Sequence, residues 1–135
     1  MDTLPFEIES LALSYLNSET LIELFKSDEK YYTNLFNKYG KSIDITLDGS
    51  NISDNDLKYV KYFHSVKLSY CSSITNNGLK YLQNVHNICL WCCNNITNDG
   101  LKILTNAKHI DLIGCDKIKE KELVDIISCS YTFLE

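Results

Sequence analysis

The 135-residue chain contains no arginine; all thirteen of its basic residues are lysine. Planar, two-pronged recognition of phosphate or carboxylate is therefore not available to it. The formal charge is −5, with seven acidic and three basic residues in 1–40 and eleven and ten in 41–135. No positive stripe exists to displace counterions from a nucleic-acid backbone, so no nucleic-acid partner is expected. Long apolar runs are also missing: nothing approaches the roughly 20 residues of a membrane-spanning helix, and no membrane association is expected. The opening M-D-T-L-P-F-E-I-E-S is acidic and lacks the basic start and apolar core of a signal peptide, which points to the cytoplasm or nucleus. In a reducing compartment the six cysteines (71, 89, 92, 93, 115, 129) stay as thiols rather than forming a disulfide framework. The sequons at Asn51 and Asn95 have no use there.

What the chain does have is a sentence spelled repeatedly. Residues 68–82 read L-S-Y-C-S-S-I-T-N-N-G-L-K-Y-L and residues 90–104 read L-W-C-C-N-N-I-T-N-D-G-L-K-I-L. In register with them, Ile52, Ile74, Ile96 and Ile118 recur every 22 residues, as do Leu57, Leu79, Leu101 and Leu123, and Val60, Leu82, Leu104 and Ile126. A fixed period of this length signals stacked structural units. Before each isoleucine lies a short alternating segment: Ile45-Thr46-Leu47, Val66-Lys67-Leu68, Ile88-Cys89-Leu90 and Ile110-Asp111-Leu112. Alternation predicts half-buried strands. After each isoleucine the spacing becomes helical, with Ser53, Thr75 and Thr97 as N-caps and Asp56 completing an approximate capping box with Ser53. Lys119 stands at the fourth such place, predicting a less sharply started helix. One unit cannot bury its own apolar face, whereas stacked units can, with strands in a parallel ladder on one side and helices on the other. Tyr131-Thr132-Phe133-Leu134, 22 residues after the fourth strand, predicts a fifth strand that covers the end of the array or begins a truncated copy.

The pattern L-x-x-C-x-x-I-T-x-x-G-L-x-x-L over residues 43–127 resembles the cysteine-containing class of leucine-rich repeats. The resemblance implies an α/β fold, a short solenoid in residues 41–135 comprising four copies and a cover strand. It also implies inward, core roles for Cys71, Cys93 and Cys115, and a strand face that binds another protein.

Residues 1–40 do not share the period. Pro5, Ile8, Leu11, Ala12, Tyr15 and Leu16 suggest one short helix. Leu21, Leu24 and Phe25 suggest a second, entered at Asn17 or Ser18, and Tyr31, Tyr32, Leu35 and Phe36 a third that stops near Gly40. Three short helices make a thin core, so part of their apolar surface is expected to face the first repeat or a partner. Residues 4–24, L-P-F-E-I-E-S-L-A-L-S-Y-L-N-S-E-T-L-I-E-L, resemble an F-box. That resemblance implies docking on the adaptor subunit of a cullin-based (SCF) ubiquitin ligase through Leu4, Pro5, Glu7, Ile8, Leu16, Leu21 and Leu24, with the repeats selecting a protein substrate. The plainer reading of the same leucines is a helical cover for a stand-alone repeat scaffold or inhibitor.

Outward strand positions form the expected recognition surface: Asp48, Lys67, Ser69, Tyr70, Trp91, Asp111 and Ile113. Trp91 is the only tryptophan, and an exposed Trp–Ile pair on a strand face is the kind of anchor that dominates protein interfaces. His86-x-x-Cys89-x-x-Cys92 has a superficially metal-like spacing. The repeat accounts for it better, because Cys93 joins the inward column while Cys89 points outward. No nucleophile–base set and no glycine-rich phosphate loop is present, so neither enzymatic activity, a metal nor a cofactor is expected.

Overall fold

The computed structural model describes residues 11, 15, 18–40, 43–49 and 51–133. Two helices, α1 (Ser18–Ser27) and α2 (Glu29–Tyr39), precede five strands: β1 (Asp44–Asp48), β2 (Ser65–Ser69), β3 (Asn87–Trp91), β4 (His109–Asp111) and β5 (Ser130–Thr132). The strands form one sheet in the order β1-β2-β3-β4-β5, every neighbouring pair parallel. Between the strands lie short helical segments. A 3-10 helix covers Asp54–Tyr59 and a second covers Gly78–Leu82, followed by α3 (Asn98–Leu101) and α4 (Glu120–Ile126). This is an α/β fold with an all-parallel sheet.

Alternation along the strands places one set of side chains in the core. Leu47, Val66, Leu68, Leu90, Ile110 and Leu112 are fully buried, and the connecting segments contribute Leu57, Val60, Ile74, Leu79, Leu82, Val85, Ile96 and Leu123 to the same interior. Each fully buried aliphatic side chain is worth about 1.5–3 kcal/mol before entropy is counted. The three 22-residue columns are thus stripes of a single continuous core running from Leu21 to Ile127, with Ile126 partly buried against it.

Four local expectations need correction. The connecting segments of the first two copies are 3-10 rather than α-helical, and Val85 lies beyond its helix although it is buried. The capping expectation holds at Ser53, whose backbone N–H and hydroxyl both donate to Asp56 Oδ2, at 2.9 and 2.7 Å. Thr97 is the N-cap residue of α3 without a capping hydrogen bond from its side chain, and the Thr75 hydroxyl accepts from the Asn77 N–H (3.2 Å) just before its helix, but both hydroxyls also engage the preceding copy. Thr75 Oγ1 donates to Asp54 Oδ2 (2.7 Å), and Thr97 Oγ1 accepts from Asn76 Nδ2 (2.8 Å). The copy with Lys119 contains the longest connecting helix, α4. Its start is held through the backbone: Lys119 N–H donates to Asn98 Oδ1 (2.7 Å) and Lys119 C=O accepts from Asn98 Nδ2 (2.9 Å). Finally, β5 pairs His109 with Ser130 and Ile110 with Tyr131. The last offset is 21 residues instead of 22, because the final connection is one residue shorter.

Two ladders run across the copies. Asp54, Asn76 and Asn98 each reach the next copy and accept its backbone N–H: Thr75 (2.7 Å), Thr97 (2.9 Å) and Lys119 (2.7 Å). Gly100 makes room for this arrangement, since a Cβ there would collide with the Asn76 amide; Gly78 does the same beside Asp54. The second ladder lies at the strand ends. Gly49 (φ 114°), Tyr70 (φ 58°), Cys92 (φ 53°) and Gly114 (φ 70°) occupy equivalent places with positive φ. Three of them donate their N–H groups to the next copy: Gly49 to Ser69 O (3.1 Å), Tyr70 to Trp91 O (2.8 Å) and Cys92 to Ile113 O (2.9 Å). A non-glycine residue in this conformation costs roughly 1–2 kcal/mol. Tyr70 and Cys92 bear that cost while extending the ladder.

The helices α1 and α2 are joined to the first copy by aromatic packing. Phe25 contacts Phe36 edge-on (5.1 Å between centroids) and lies 6.1 Å from Tyr59 and 6.4 Å from Phe63. Phe36 lies 4.7 Å from Phe63. The surplus apolar surface expected of the N-terminal helices therefore faces the first copy, at least for these rings. Lys26 of α1 adds an ion pair with the buried Asp56 (2.8 Å). Gly40 ends α2 as expected, yet with φ −59°. Its lack of a side chain serves a close approach, because a Cβ would meet Tyr62 O.

Candidate functional site

The outward side of the strands gathers the expected recognition residues. Register places Thr46, Lys67, Cys89 and Asp111 in one row, continued by Thr132, and Asp48, Ser69 and Trp91 in the next. Asp48 and Tyr70 are exposed, whereas Lys67, Trp91, Asp111 and Ile113 are half-buried. Ser69 departs from expectation: it points away from the core but is only 4% exposed. It sits between Asp48 and Trp91 in register, so its short hydroxyl lies below larger neighbours.

Trp91 is not a bare anchor. Lys67 Nζ lies over its ring, 4.3 Å from the centroid, a cation–π contact worth about 0.5–1 kcal/mol in such a setting. Its indole N–H and the Ser69 hydroxyl are both buried without a hydrogen-bond partner. Leaving such a donor unsatisfied costs about 1–3 kcal/mol. Two orphaned donors on adjacent strands, on one face, constitute the most unusual local chemistry of the described residues. Residue spacing identified Trp91 but could not reveal the unpaired donors, which depend on what lies beside them.

Tyr70 is 68% exposed at the end of β2, held there by its positive-φ backbone. Asp111 accepts a hydrogen bond from the Ile113 N–H (3.2 Å), which turns the chain after β4.

The cysteine column behaves as core. Cys71, Cys93 and Cys115 are buried, and their thiols donate to carbonyls of the preceding copy: Leu47 O (3.4 Å), Leu68 O (3.7 Å) and Leu90 O (2.8 Å). The adjacent Cys71 thiol, together with burial, pushes the Cys93 thiol well above its ordinary range, and burial raises Cys115 to about 11. Burial also raises Cys89. Cys89, Cys93 and Cys115 are thus not prepared to act as thiolate nucleophiles; the hydrogen bond with the Cys93 thiol instead lowers Cys71, which is fully buried. Among the described residues no group of three or more His, Cys, Asp or Glu side chains is arranged to hold a metal ion. His64 and His109 are half-buried and engaged, His64 Nε2 with Asn87 Nδ2 (3.1 Å) and His109 with the Ser130 hydroxyl (2.9 Å).

Of the expected adaptor-contacting residues, Leu4, Pro5, Glu7, Ile8 and Leu16 lie outside the described residues. Leu21 of α1 is buried at 3% exposure and Leu24 is half-buried. No helix among the described residues is long and apolar enough to cross a membrane.

No protein-family model matches the sequence, and no curated protein matches it either.

Proposed function

We propose that this chain is a protein-recruiting module: a short leucine-rich-repeat solenoid whose outward strand face receives a protein partner. Its N-terminal segment, on this reading, is an F-box that docks on the adaptor subunit of an SCF-type cullin ubiquitin ligase. The observation that carries the first half is the pair of buried, unsatisfied donors, Ser69 Oγ and Trp91 Nε1, on one face. An interface that supplies acceptors recovers what the free protein forgoes there. The second half is supported by the motif in residues 4–24 and by the repeats that follow it in the sequence. The contribution would be proximity: holding a substrate lysine near a charged ubiquitin carrier raises its effective concentration without a catalytic residue in this chain.

Titration of the full chain with purified ligase adaptor, read by calorimetry, tests the docking half. Binding that disappears when Pro5 and Leu16 are changed to polar residues fits the proposal; no heat with the unaltered chain would sink it. A second reading is favoured by one observation, the burial of Leu21 within the core. In that reading α1 and α2 seal the first copy, and the protein is a stand-alone scaffold or inhibitor that binds a partner without assembling a ligase.

A further inference from the structure

A separate recess lies where α2 meets the 3-10 helix of the first copy. The buried rings of Phe25 and Phe36 lie beneath it, and half-buried Thr33, Tyr59 and Tyr62 line it. Its volume is about 60 Å³. That exceeds the roughly 10–15 Å³ one water needs and falls well short of the roughly 150 Å³ that takes benzene. An aliphatic side chain suits this size better than an aromatic ring. The polar rim is unevenly charged, with Glu29 as the one carboxylate among the lining residues against the ammonium groups of Lys58 and Lys61. Lys58 Nζ lies 3.7 Å from Glu29 and 4.6 Å from the Tyr59 centroid. Lys61 Nζ lies 5.0 Å from the Tyr62 centroid and, among the described residues, pairs with no carboxylate. A ring holds an ammonium in place without neutralising its charge. The arrangement continues into the next copy, where Lys80, 22 residues after Lys58, lies 5.0 Å from the Tyr81 centroid. It stops at the third copy, where Lys102 pairs with Asp99 at 2.6 Å.

We propose that this cleft docks an acidic segment of a partner protein, with one aliphatic side chain of the segment in the recess and flanking carboxylates at Lys58 and Lys61. The aromatic lining supplies the apolar attraction for the anchor. Charge sets the choice of segment: two ammonium groups and one carboxylate at the rim, with Lys80 beyond, attract acidic flanks and repel basic ones. The tyrosine rings keep both ammonium groups beside the recess, so little side-chain freedom is lost when a carboxylate arrives. Glu29 competes for Lys58 with the incoming carboxylate, whereas Lys61 is free to take one. The docking uses neither the strand face nor residues 4–24, so it stands apart from both recruiting surfaces proposed above.

The experiment titrates the full-length, nitrogen-15-labelled protein at low ionic strength with four blocked peptides, read by amide chemical shifts. Three carry a central leucine flanked by glutamates, lysines or glutamines, and the fourth carries alanine flanked by glutamates. The glutamate–leucine peptide is expected to bind most tightly, with saturable shifts confined to Glu29–Phe36 and Lys58–Tyr62. Its affinity falls as salt rises from about 20 to about 150 mM. The alanine peptide binds about ten-fold more weakly, for want of the buried methyl groups. Glu29→Gln removes the competing carboxylate and tightens binding by about two- to five-fold, and Lys61→Gln loosens it by a similar factor. Circular dichroism checks that both variants keep the fold. Tighter binding of the lysine or glutamine peptide overturns the acidic partner. Equal affinities for the leucine and alanine peptides overturn the recess as the anchor site. Silence toward all four peptides, shifts centred elsewhere, or unchanged binding by Lys61→Gln also overturns the proposal. The adaptor titration is independent of any of these results.

Discussion

Asparagine 76 offers the sharpest test of how the copies are held together. Its Oδ1 accepts from the Thr97 N–H at 2.9 Å and its Nδ2 donates to the Thr97 hydroxyl at 2.8 Å. Asn76→Ala removes both contacts and leaves a part-buried N–H without an acceptor, costing about 1–3 kcal/mol. At this chain length that corresponds to a fall in Tm of about 3–10 °C. Asn76→Asp should be far milder. A carboxylate keeps the acceptor, and the threonine hydroxyl can turn to donate, as Thr75 already does to Asp54. The same substitution at Asn98 has the opposite outcome. There the Nδ2 donates to a backbone carbonyl, Lys119 O, and a carboxylate would set two acceptors against each other in a buried place. Urea unfolding followed by Trp91 fluorescence and circular dichroism measures all three. Gly100→Ala, which intrudes on the Asn76 amide, should destabilise alone and be less than additive with Asn76→Ala. A neutral Asn76→Ala, or equal costs for Asn→Asp at 76 and 98, would refute the reasoning.

Further outcomes follow from the strand ends, the ion pair and the thiols. Cys92→Gly removes the positive-φ cost and should be neutral or stabilising by up to about 1 kcal/mol. Gly114→Ala, whose Cβ would meet Cys92 Sγ at 2.7 Å, should cost less in the Cys92→Gly background; equal costs in the two backgrounds would remove the proposed contact. Burial opposes the charge of Asp56, but Lys26 and the two Ser53 donors outweigh it and hold the carboxyl below its ordinary value. Its folded pKa is thus depressed, so its contribution is present above the unfolded value of about 3.9 and is lost as pH falls through the lower folded one. Asp56→Asn should therefore flatten the acid limb of stability against pH, and an unchanged limb would count against the ion pair. Cys71, Cys93 and Cys115 should react with a thiol reagent only at the rate of global unfolding, as followed by mass spectrometry; labelling before unfolding would contradict their core placement.

The parts of this fold that burial dictates were readable in the residues. Ile52, Ile74, Ile96 and Ile118 recur because each fills the same slot in one interior, and the inward cysteines follow from that register. What depends on cross-copy partners was not readable. Thr75 and Thr97 have the composition of helix caps, and only the neighbouring Asp54 and Asn76 show that their groups serve the inter-copy ladder. The positive-φ column was hidden because two of its four members are Tyr70 and Cys92 rather than glycine. Short connecting segments of five or six residues hold too little periodicity to separate a 3-10 from an α-helix. In the candidate site Trp91 stood out by type and place. The burial of Ser69 and the cation over the indole arise from strands 22 residues apart, and no local pattern encodes them.

The central claim is that two separable surfaces recruit two different proteins. Quantitative affinity capture of the full chain from cells tests it directly, comparing the unaltered protein with a Pro5/Leu16 polar double variant and with Trp91→Ala. The account predicts that the double variant loses adaptor and cullin but keeps the strand-face partner, while Trp91→Ala loses that partner and keeps adaptor and cullin. Capture of neither adaptor nor cullin by the unaltered chain, or loss of the same proteins from both variants, would contradict it.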